Sequence, residues 1–400
     1  MIYLVIFFIL IYFTYRYDYI GQKAYRLNAY YLVLFLLIVV AGFRYRIGLD
    51  TIRYESAFRW LPSLWELRWD DFKDNNYDPL YLLFSSLAKS ISSEFWVMQL
   101  IQAILVNTII FSFIKKYTSR IFFATLLYYV FLYLNFMCEV MREACAVSMF
   151  LLSWKYFEKE KWLPYYVLCI AAFLFHSSAI LLFILPVLKW LHLTNLMRMN
   201  KYTAVFLLAV LVGGFVIQRY FFDYLNLLAF TGRIEDRIGR YAESDLSGTV
   251  LNINGILSTV IQTILYPFVA IICLKRQYNV RSFSMEPMIF LCFTFALLTI
   301  PIAIFYRYNN YFMPFAIIAM SEIAFQRKIY LSRKRYVYIS RFLLWLIIFT
   351  PLLFLKIYGY NSSVKGSNLK EYMRYYPYSS IFDKEINRNR EALFTYYNAF

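Results

Sequence analysis

The chain is 400 residues long, 62% hydrophobic, 22% aromatic and only 16% charged, with a formal net charge of +17 and a mean hydropathy of +0.54. A soluble domain carries about 25% charged residues, so the composition excludes an ordinary soluble enzyme and specifies an all-α, polytopic membrane protein. The positive balance invites a nucleic-acid partner, and the distribution of the charge along the chain decides against one.

The opening M-I-Y-L-V-I-F-F-I-L-I-Y-F has no basic residue ahead of its apolar run. It therefore lacks the positive region of a secretory signal and reads as a retained first helix. Arg16, Lys23 and Arg26 follow, which places the N-terminus outside and the first loop in the cytoplasm. About twelve crossings are predicted, over 2–15, 29–43, 95–114, 121–134, 144–157, 162–175, 179–191, 203–217, 255–274, 287–305, 311–325 and 341–357. Several are shorter than the roughly 20 residues a spanning helix needs, and terminal Tyr, Trp and Phe extend them into the interface. Residues 77–92 are too short to span and read as a surface or re-entrant helix, with Asp78 as N-cap and Pro79 in the first turn.

This arrangement leaves outer loops at 44–94 and 218–254, a membrane domain over 1–357 and an outer C-terminal tail over 358–400. The cytoplasmic segments hold about half of the 41 Lys and Arg but, of the 24 acids, only Asp18, Glu158, Glu160, Glu286 and Glu322. The excess charge is thus orientation in a bilayer. Cys138, Cys145, Cys169, Cys273 and Cys292 fall in or beside apolar runs without CxxC spacing, so neither zinc nor a disulfide framework is implied. No Walker or GxGxxG loop, HExxH pair or GxSxG elbow occurs, and no cofactor or metal is expected.

The candidate chemistry lies at the outer mouths. F-R-Y-R-I-G-L-D-T-I-R-Y-E carries Arg44, Arg46, Asp50, Arg53 and Glu55. Arginine forks suit phosphate oxygens and could neutralise a diphosphate without a metal; the plainer reading is contact with lipid headgroups. In M-R-E-A-C-A, Glu139, Arg142 and Glu143 are spaced to share one side of a helix. A charge at a helix mouth carries either a function or a partner, here an ion pair with Glu139 or Glu143. His176, in F-H-S-S-A, shares the face of Arg142 across the basic turn from Lys155 to Lys161, and is either a base or a cap of its own turn. Arg233, Arg237 and Arg240 lie on one helical face next to Tyr241, with a solvated face as the alternative. Arg307, in F-Y-R-Y-N-N-Y-F, marks another outer mouth or anchors a turn.

R-Y-R-I-G-L-D-T-I-R-Y, Y-D-P-L-Y-L-L-F, M-R-E-A-C-A, F-H-S-S-A-I, R-I-G-R-Y, F-Y-R-Y-N-N-Y-F and Y-P-Y-S-S-I-F, taken together and in order, resemble the EpsG-like family of bacterial polysaccharide polymerases, the Wzy-type enzymes. Y-D-P-L-Y departs from the family's more usual Glu-Pro-Gly-Tyr, and Glu143 from a commonly uncharged residue. The resemblance implies a metal-independent glycosyltransferase, compatible with a GT-C-like architecture. It would join glycan repeat units carried on polyprenyl (undecaprenyl) diphosphate, outside the bacterial cytoplasmic membrane, for O-antigen, capsule or exopolysaccharide. Its partners would be the lipid-linked glycans, with a chain-length regulator and a flippase as companions in the pathway.

Such a reaction needs diphosphate binding, stabilisation of developing charge and deprotonation of a sugar hydroxyl. Arg44, Arg142, Arg240 and Arg307, with Arg46, Arg53, Arg237 and Tyr241 beside them, suit the first two tasks; His176, Asp50 or Glu143 suits the third. A lipid-linked oligosaccharide flippase is the main alternative, but its site would lie near the midplane, whereas these charges cluster at the mouths. An O-antigen ligase would share the arginine logic, and a membrane acyltransferase could use His176 as its base.

Overall fold

The computed structural model describes residues 2–74, 77–195, 197, 202–227, 285–324, 328–330, 336–338, 357, 359–364 and 368–399. In chain order its helices are α1 (Ile2–Phe13), continued by a π turn over Thr14–Tyr19, then α2 (Arg26–Gly42), α3 (Leu49–Trp60), α4 (Trp69–Asp74), α5 (Pro79–Ile91) and α6 (Phe95–Tyr117). Next, α7 (Ile121–Tyr128) passes through a π turn at Tyr129–Tyr133 into α8 (Leu134–Cys138), followed by α9 (Met141–Glu158) and α10 (Trp162–Phe175). A 3₁₀ stretch, Ser177–Ile184, leads into α11 (Leu185–Trp190). Beyond it come α12 (Thr203–Leu227), α13 (Glu286–Leu298), α14 (Tyr306–Ile323) and finally α15 (Arg388–Ala399). Two compact units result, one of Met1–Pro186 with Leu353–Phe400 and one of Val187–Leu352. The described residues of 358–400 therefore belong to the first unit.

Three helical stretches are long and apolar enough to cross a membrane, Ile2–Tyr19, Phe95–Tyr117 and Ile121–Cys138. Shorter apolar helices, Arg26–Gly42, Trp162–Phe175, Ser177–Trp190, Val205–Gln218 and Glu286–Leu298, fall on crossings predicted from the sequence. The crossing expected at 255–274 and, apart from Ile357, the one at 341–357 lie outside the described residues. One departure from an all-α chain is a small antiparallel ribbon in the second unit, β1 (Lys328–Tyr330) against β2 (Tyr336–Tyr338), with Ile329 opposite Val337. Within the outer segment 44–94, α5 falls on the helix expected over 77–92, while α3 and α4 occupy stretches expected as loop.

At one end of the first unit the basic turns meet. Asp18 Oδ2 accepts from Phe122 N and Phe123 N, both at 2.9 Å, and so caps α7 in trans. Arg26 pairs with Asp18 Oδ1 at 3.1 Å, while Arg120 Nη1 donates to the Asp18 carbonyl at 2.6 Å. Tyr117 Oη and Glu158 bridge α6 to α9 at 2.5 Å. At the opposite end, Tyr3 packs edge-on against Tyr378 at 5.8 Å, and Tyr129 Oη donates to Tyr3 O at 2.9 Å.

That second end is organised by the break between α8 and α9. A helix end leaves carbonyls without intrahelical partners, and side chains from other elements satisfy three of those in α8. Gln102 Nε2 donates to Phe136 O at 3.0 Å, Arg44 Nη2 to Met137 O, and Thr51 Oγ1 to Cys138 O at 2.8 Å. Glu139 returns the service, since its two carboxylate oxygens accept from Leu49 N at 3.2 Å and Asp50 N at 3.1 Å, the first amides of α3. The chain reaches α3 through Gly48, whose φ of +92° suits glycine.

The C-terminal segment covers this joint. Gly48 N, Tyr45 N and Ile381 N donate to Arg374 O, Ser379 O and Phe43 O at 2.9, 2.9 and 3.0 Å. Arg46 forms a two-pronged pair with Glu391, both bonds at 2.9 Å, and also reaches Glu55 at 3.1 Å. Arg390 is buried and fans onto the carbonyls of Met373, Arg46 and Pro377. Leu49, Val364 and Leu393 form the apolar core beneath.

A β-carbon at Gly48 would lie 2.6 Å from both Cys138 Cβ and Cys138 O, whereas one at Gly21, with φ +86°, meets nothing within 4 Å. Gly21→Ala is expected to cost about 1–2 kcal/mol from backbone strain alone, and Gly48→Ala upward of about 3 kcal/mol. Thermal unfolding in detergent measures both; equal losses would contradict the close approach at Gly48.

Candidate functional site

In the first turn of α9, directly after the break, stands Arg142. Its Nε donates to Tyr54 Oη at 3.1 Å, and its Nη1 pairs with Asp78 Oδ2 at 3.2 Å. The guanidinium carbon lies 5.5 Å from the Tyr77 ring centre and 5.9 Å from that of Tyr54, within cation–π range. Tyr54, Tyr77 and Tyr81 contact one another, ring centres 5.3–5.8 Å apart. The Arg142 side chain retains 24% exposure. The sequence suggested Glu139 or Glu143 as its ionic partner, yet Asp78 is the carboxylate found beside it.

Local structure explains the exchange. Pro79 opens α5 and Asp78 occupies the N-cap position with an extended backbone, as expected, but its side chain makes no capping bond. The carboxylate turns to Arg142 instead, because a charged pair in a partly buried site is stronger than a bond to one exposed amide. At the far end of α5, Lys89 Nζ donates to Phe58 O and Arg59 O at 3.1 and 3.2 Å. Thus α5 is fixed at both ends to the outer segment and to α9.

Asp50 and Arg53 lie on the first turns of α3, 3.7 Å apart, with Arg53 61% exposed. Burial pushes the Tyr77 phenol up, the neighbouring Tyr54 reinforces this, Arg142 pulls it down, and Asp50 and Arg53 act in opposite senses. Those five side chains therefore share one electrostatic neighbourhood. Burial also raises Glu139 above the ordinary carboxyl range, and the charge of Asp50 adds to the rise, against Arg374 and the two α3 amides.

The other expected residues divide into groups. Arg44 is buried, with its fork on the carbonyls of Ala41 and Met137 and near Met141 Sδ at 3.6 Å. Arg46 is committed to Glu391 and Glu55. Both arginines form part of the scaffold rather than facing a ligand, and the same fork geometry that suits phosphate serves carbonyls and carboxylates here. Glu143 is buried in α9. Arg307 is in the second unit, near the start of α14, 5.9 Å from the Tyr306 ring centre. Arg233, Arg237, Arg240 and Tyr241 lie outside the described residues.

His176 follows α10 and caps the 3₁₀ stretch: Ser178 N donates to its Nδ1 at 3.2 Å, and Ser178 Oγ lies 2.6 Å from the same nitrogen. A backbone N–H can only donate, so Nδ1 is the acceptor and the neutral ring carries its proton on Nε2. In this tautomer Nε2 is a hydrogen-bond donor. Phe175 beside it packs edge-on against Phe84 of α5 at 5.9 Å. Among the described residues, no three His, Cys, Asp or Glu side chains converge to hold a metal ion.

Tyr54, Tyr77 and Tyr81 went unrecognised because 39 tyrosines in a membrane chain read as interfacial belts. The available signal was Tyr77 directly before the Asp78–Pro79 helix start, with Tyr54 one residue after Arg53.

A family model described as the EpsG family matches residues 27–380. No curated protein and no solved structure matches the chain.

A buried acid with a raised folded pKa binds its proton more tightly folded than unfolded. The stability it contributes is complete below the unfolded value near 4.3 and falls as pH rises through the folded value. Glu139→Gln cannot ionise, so it should flatten the stability decline above about pH 4 while costing about 1 kcal/mol at low pH for one unmatched amide. Thermal unfolding of both proteins across pH measures this; a Gln variant with the wild-type slope would show that Glu139 is not the group responsible.

Proposed function

The chain belongs to the EpsG family, and on that premise we propose that it is a membrane polysaccharide polymerase acting on glycan repeat units linked to polyprenyl diphosphate. The observation that carries the reading is Arg142, set among Tyr54, Tyr77 and Asp78 with its side chain 24% exposed, in the same electrostatic neighbourhood as the exposed Arg53 and Asp50. The end of the first unit that holds this cluster faces the outside of the cell, and the end holding Asp18, Arg26 and Arg120 faces the cytoplasm, in keeping with the positive-inside bias.

In the proposed reaction an acceptor sugar hydroxyl attacks the anomeric carbon of the donor glycan. The new carbon–oxygen bond forms as the bond from that carbon to the diphosphate oxygen breaks, and the polyprenyl diphosphate leaves with the electron pair. Arg142 and Arg53 hold the diphosphate and stabilise the charge that grows on it. Asp50 takes the hydroxyl proton, with Glu139 held beside it by the α3 amides. His176 donates from Nε2 to a substrate oxygen. The energy resides in the diphosphate linkage, so no nucleotide is consumed. The same chemistry serves O-antigen, capsule or exopolysaccharide.

Purified protein in nanodiscs, supplied with the lipid-linked repeat unit, tests this directly. Arg142→Lys keeps the charge and loses the fork, and polymer formation should fall at least about tenfold. Asp50→Asn should lower the rate about 100-fold to 10,000-fold, and His176→Gln, which can still donate, much less. Normal polymer from Arg142→Lys, or movement of the repeat unit across the bilayer without polymer, overturns the proposal.

A further inference from the structure

Asp78 stands where it could cap α5 and serves Arg142 instead. Its backbone is extended, with φ −69° and ψ 147°, and its carbonyl accepts the first bond of the helix from Leu82 N at 3.0 Å, but its side chain makes no capping bond. Pro79 brings no N–H, so the amides such a cap would serve are those of Leu80 and Tyr81. The carboxylate lies against Arg142, with Oδ2 3.2 Å from Nη1. That separation is longer than the two 2.9 Å bonds by which Arg46 holds Glu391, and longer than the about 2.7–2.9 Å of a tight charge-assisted pair. Rotation of one side chain thus separates two stations, the guanidinium of Arg142 and the positive end of α5.

The chemistry of transfer gives that pair a use. Contacts that strengthen as charge grows on the leaving diphosphate also retain it once the glycan has gone, and product release then limits turnover. A carboxylate is a singly charged, two-oxygen match for the same guanidinium fork. Attached beside Arg142, it competes for the fork at the effective concentration of an intramolecular partner. When a diphosphate takes the guanidinium, the displaced carboxylate still has the Leu80 and Tyr81 amides to accept from. Arg142 itself need not move during the exchange. Its Nε bond to Tyr54 Oη at 3.1 Å and its position 5.5 Å from the Tyr77 ring centre do not involve Asp78.

We propose that Asp78 is a displaceable counter-ion, which yields Arg142 to the incoming diphosphate and reclaims it as the polyprenyl diphosphate leaves. This role rests on the polymerase reading, with Arg142 as the diphosphate ligand. Asp78→Asn and Asp78→Ser both remove the charge and keep a side chain able to cap α5. The test uses full-length protein in phosphatidylcholine nanodiscs, as wild type, as each Asp78 variant, as Arg142→Gln and as the Asp78→Asn, Arg142→Gln double variant. Inorganic pyrophosphate, titrated by calorimetry, should bind the Asp78 variants about tenfold more tightly, the gain expected where about one wild-type molecule in ten has Arg142 released. The gain should vanish when the double variant is compared with Arg142→Gln alone. With lipid-linked repeat unit as substrate, added polyprenyl diphosphate should inhibit the Asp78 variants at about tenfold lower concentration than the wild type.

Equal or weaker pyrophosphate binding by both Asp78 variants, with Arg142→Gln weakened, overturns the counter-ion and makes Asp78 a brace that holds Arg142 for its ligand. A gain that persists without Arg142 overturns it as well, since the charge of Asp78 would then act on anions generally and not through the pair. A wild-type protein that makes no polymer overturns the polymerase reading instead, and the pyrophosphate comparison then decides the counter-ion alone.

Discussion

Three carbonyls at the end of α8 decide how the site end of the first unit is built. Phe136, Met137 and Cys138 present these groups away from bulk water, and each is met by a side chain from a different part of the chain: Gln102 of α6, Arg44 after α2 and Thr51 of α3. A buried polar group left unmatched costs about 1–3 kcal/mol, so the three bonds act as a joint that holds α3, α6 and the end of α2 against the break. Glu139 completes it in the reverse direction by capping α3. Arg142 emerges from the first turn of α9 at a position that this joint fixes.

Arginine performs three distinct tasks at this end of the first unit. Arg44 closes carbonyls, Arg46 and Arg390 fasten the C-terminal segment to the stretch before Gly48, and Arg142 stands among tyrosines beside Asp78. The tail contributes to function indirectly, because α15 packs on α3 and Arg390 donates to Arg46 O, so the helix that carries Asp50 and Arg53 is braced from both sides. Rigid support of this kind is what keeps a binding group within the tolerance that transition-state contacts demand.

Much of this could be read from the chain. Apolar runs located the shorter apolar helices and the three long ones, and the basic residues Arg26 and Arg120 meet at Asp18, with Lys116 beside Glu158. Arg142 stood out because a charge at a helix mouth has few ordinary explanations. The contacts of Arg44 were hidden for a physical reason: sequence gives the donor fork but not its acceptors, and no pattern announced the break between α8 and α9 beside which Met137 O lies. Asp78 was placed correctly as an N-cap residue, yet its pairing with Arg142 is a contact between residues far apart in sequence. The roles of α3 and of the tail were hidden likewise, since both are polar segments whose burial comes from each other.

The most direct measurement is a structure of the full chain in nanodiscs with a polyprenyl-diphosphate-linked glycan bound. Phosphate oxygens should lie within hydrogen-bond distance of the Arg142 guanidinium, with Arg53 approaching the same diphosphate and the Arg44 fork still on Met137 O. A diphosphate bound elsewhere, with Arg142 untouched on Asp78 and Tyr54, would contradict the assignment of this joint as the site of transfer.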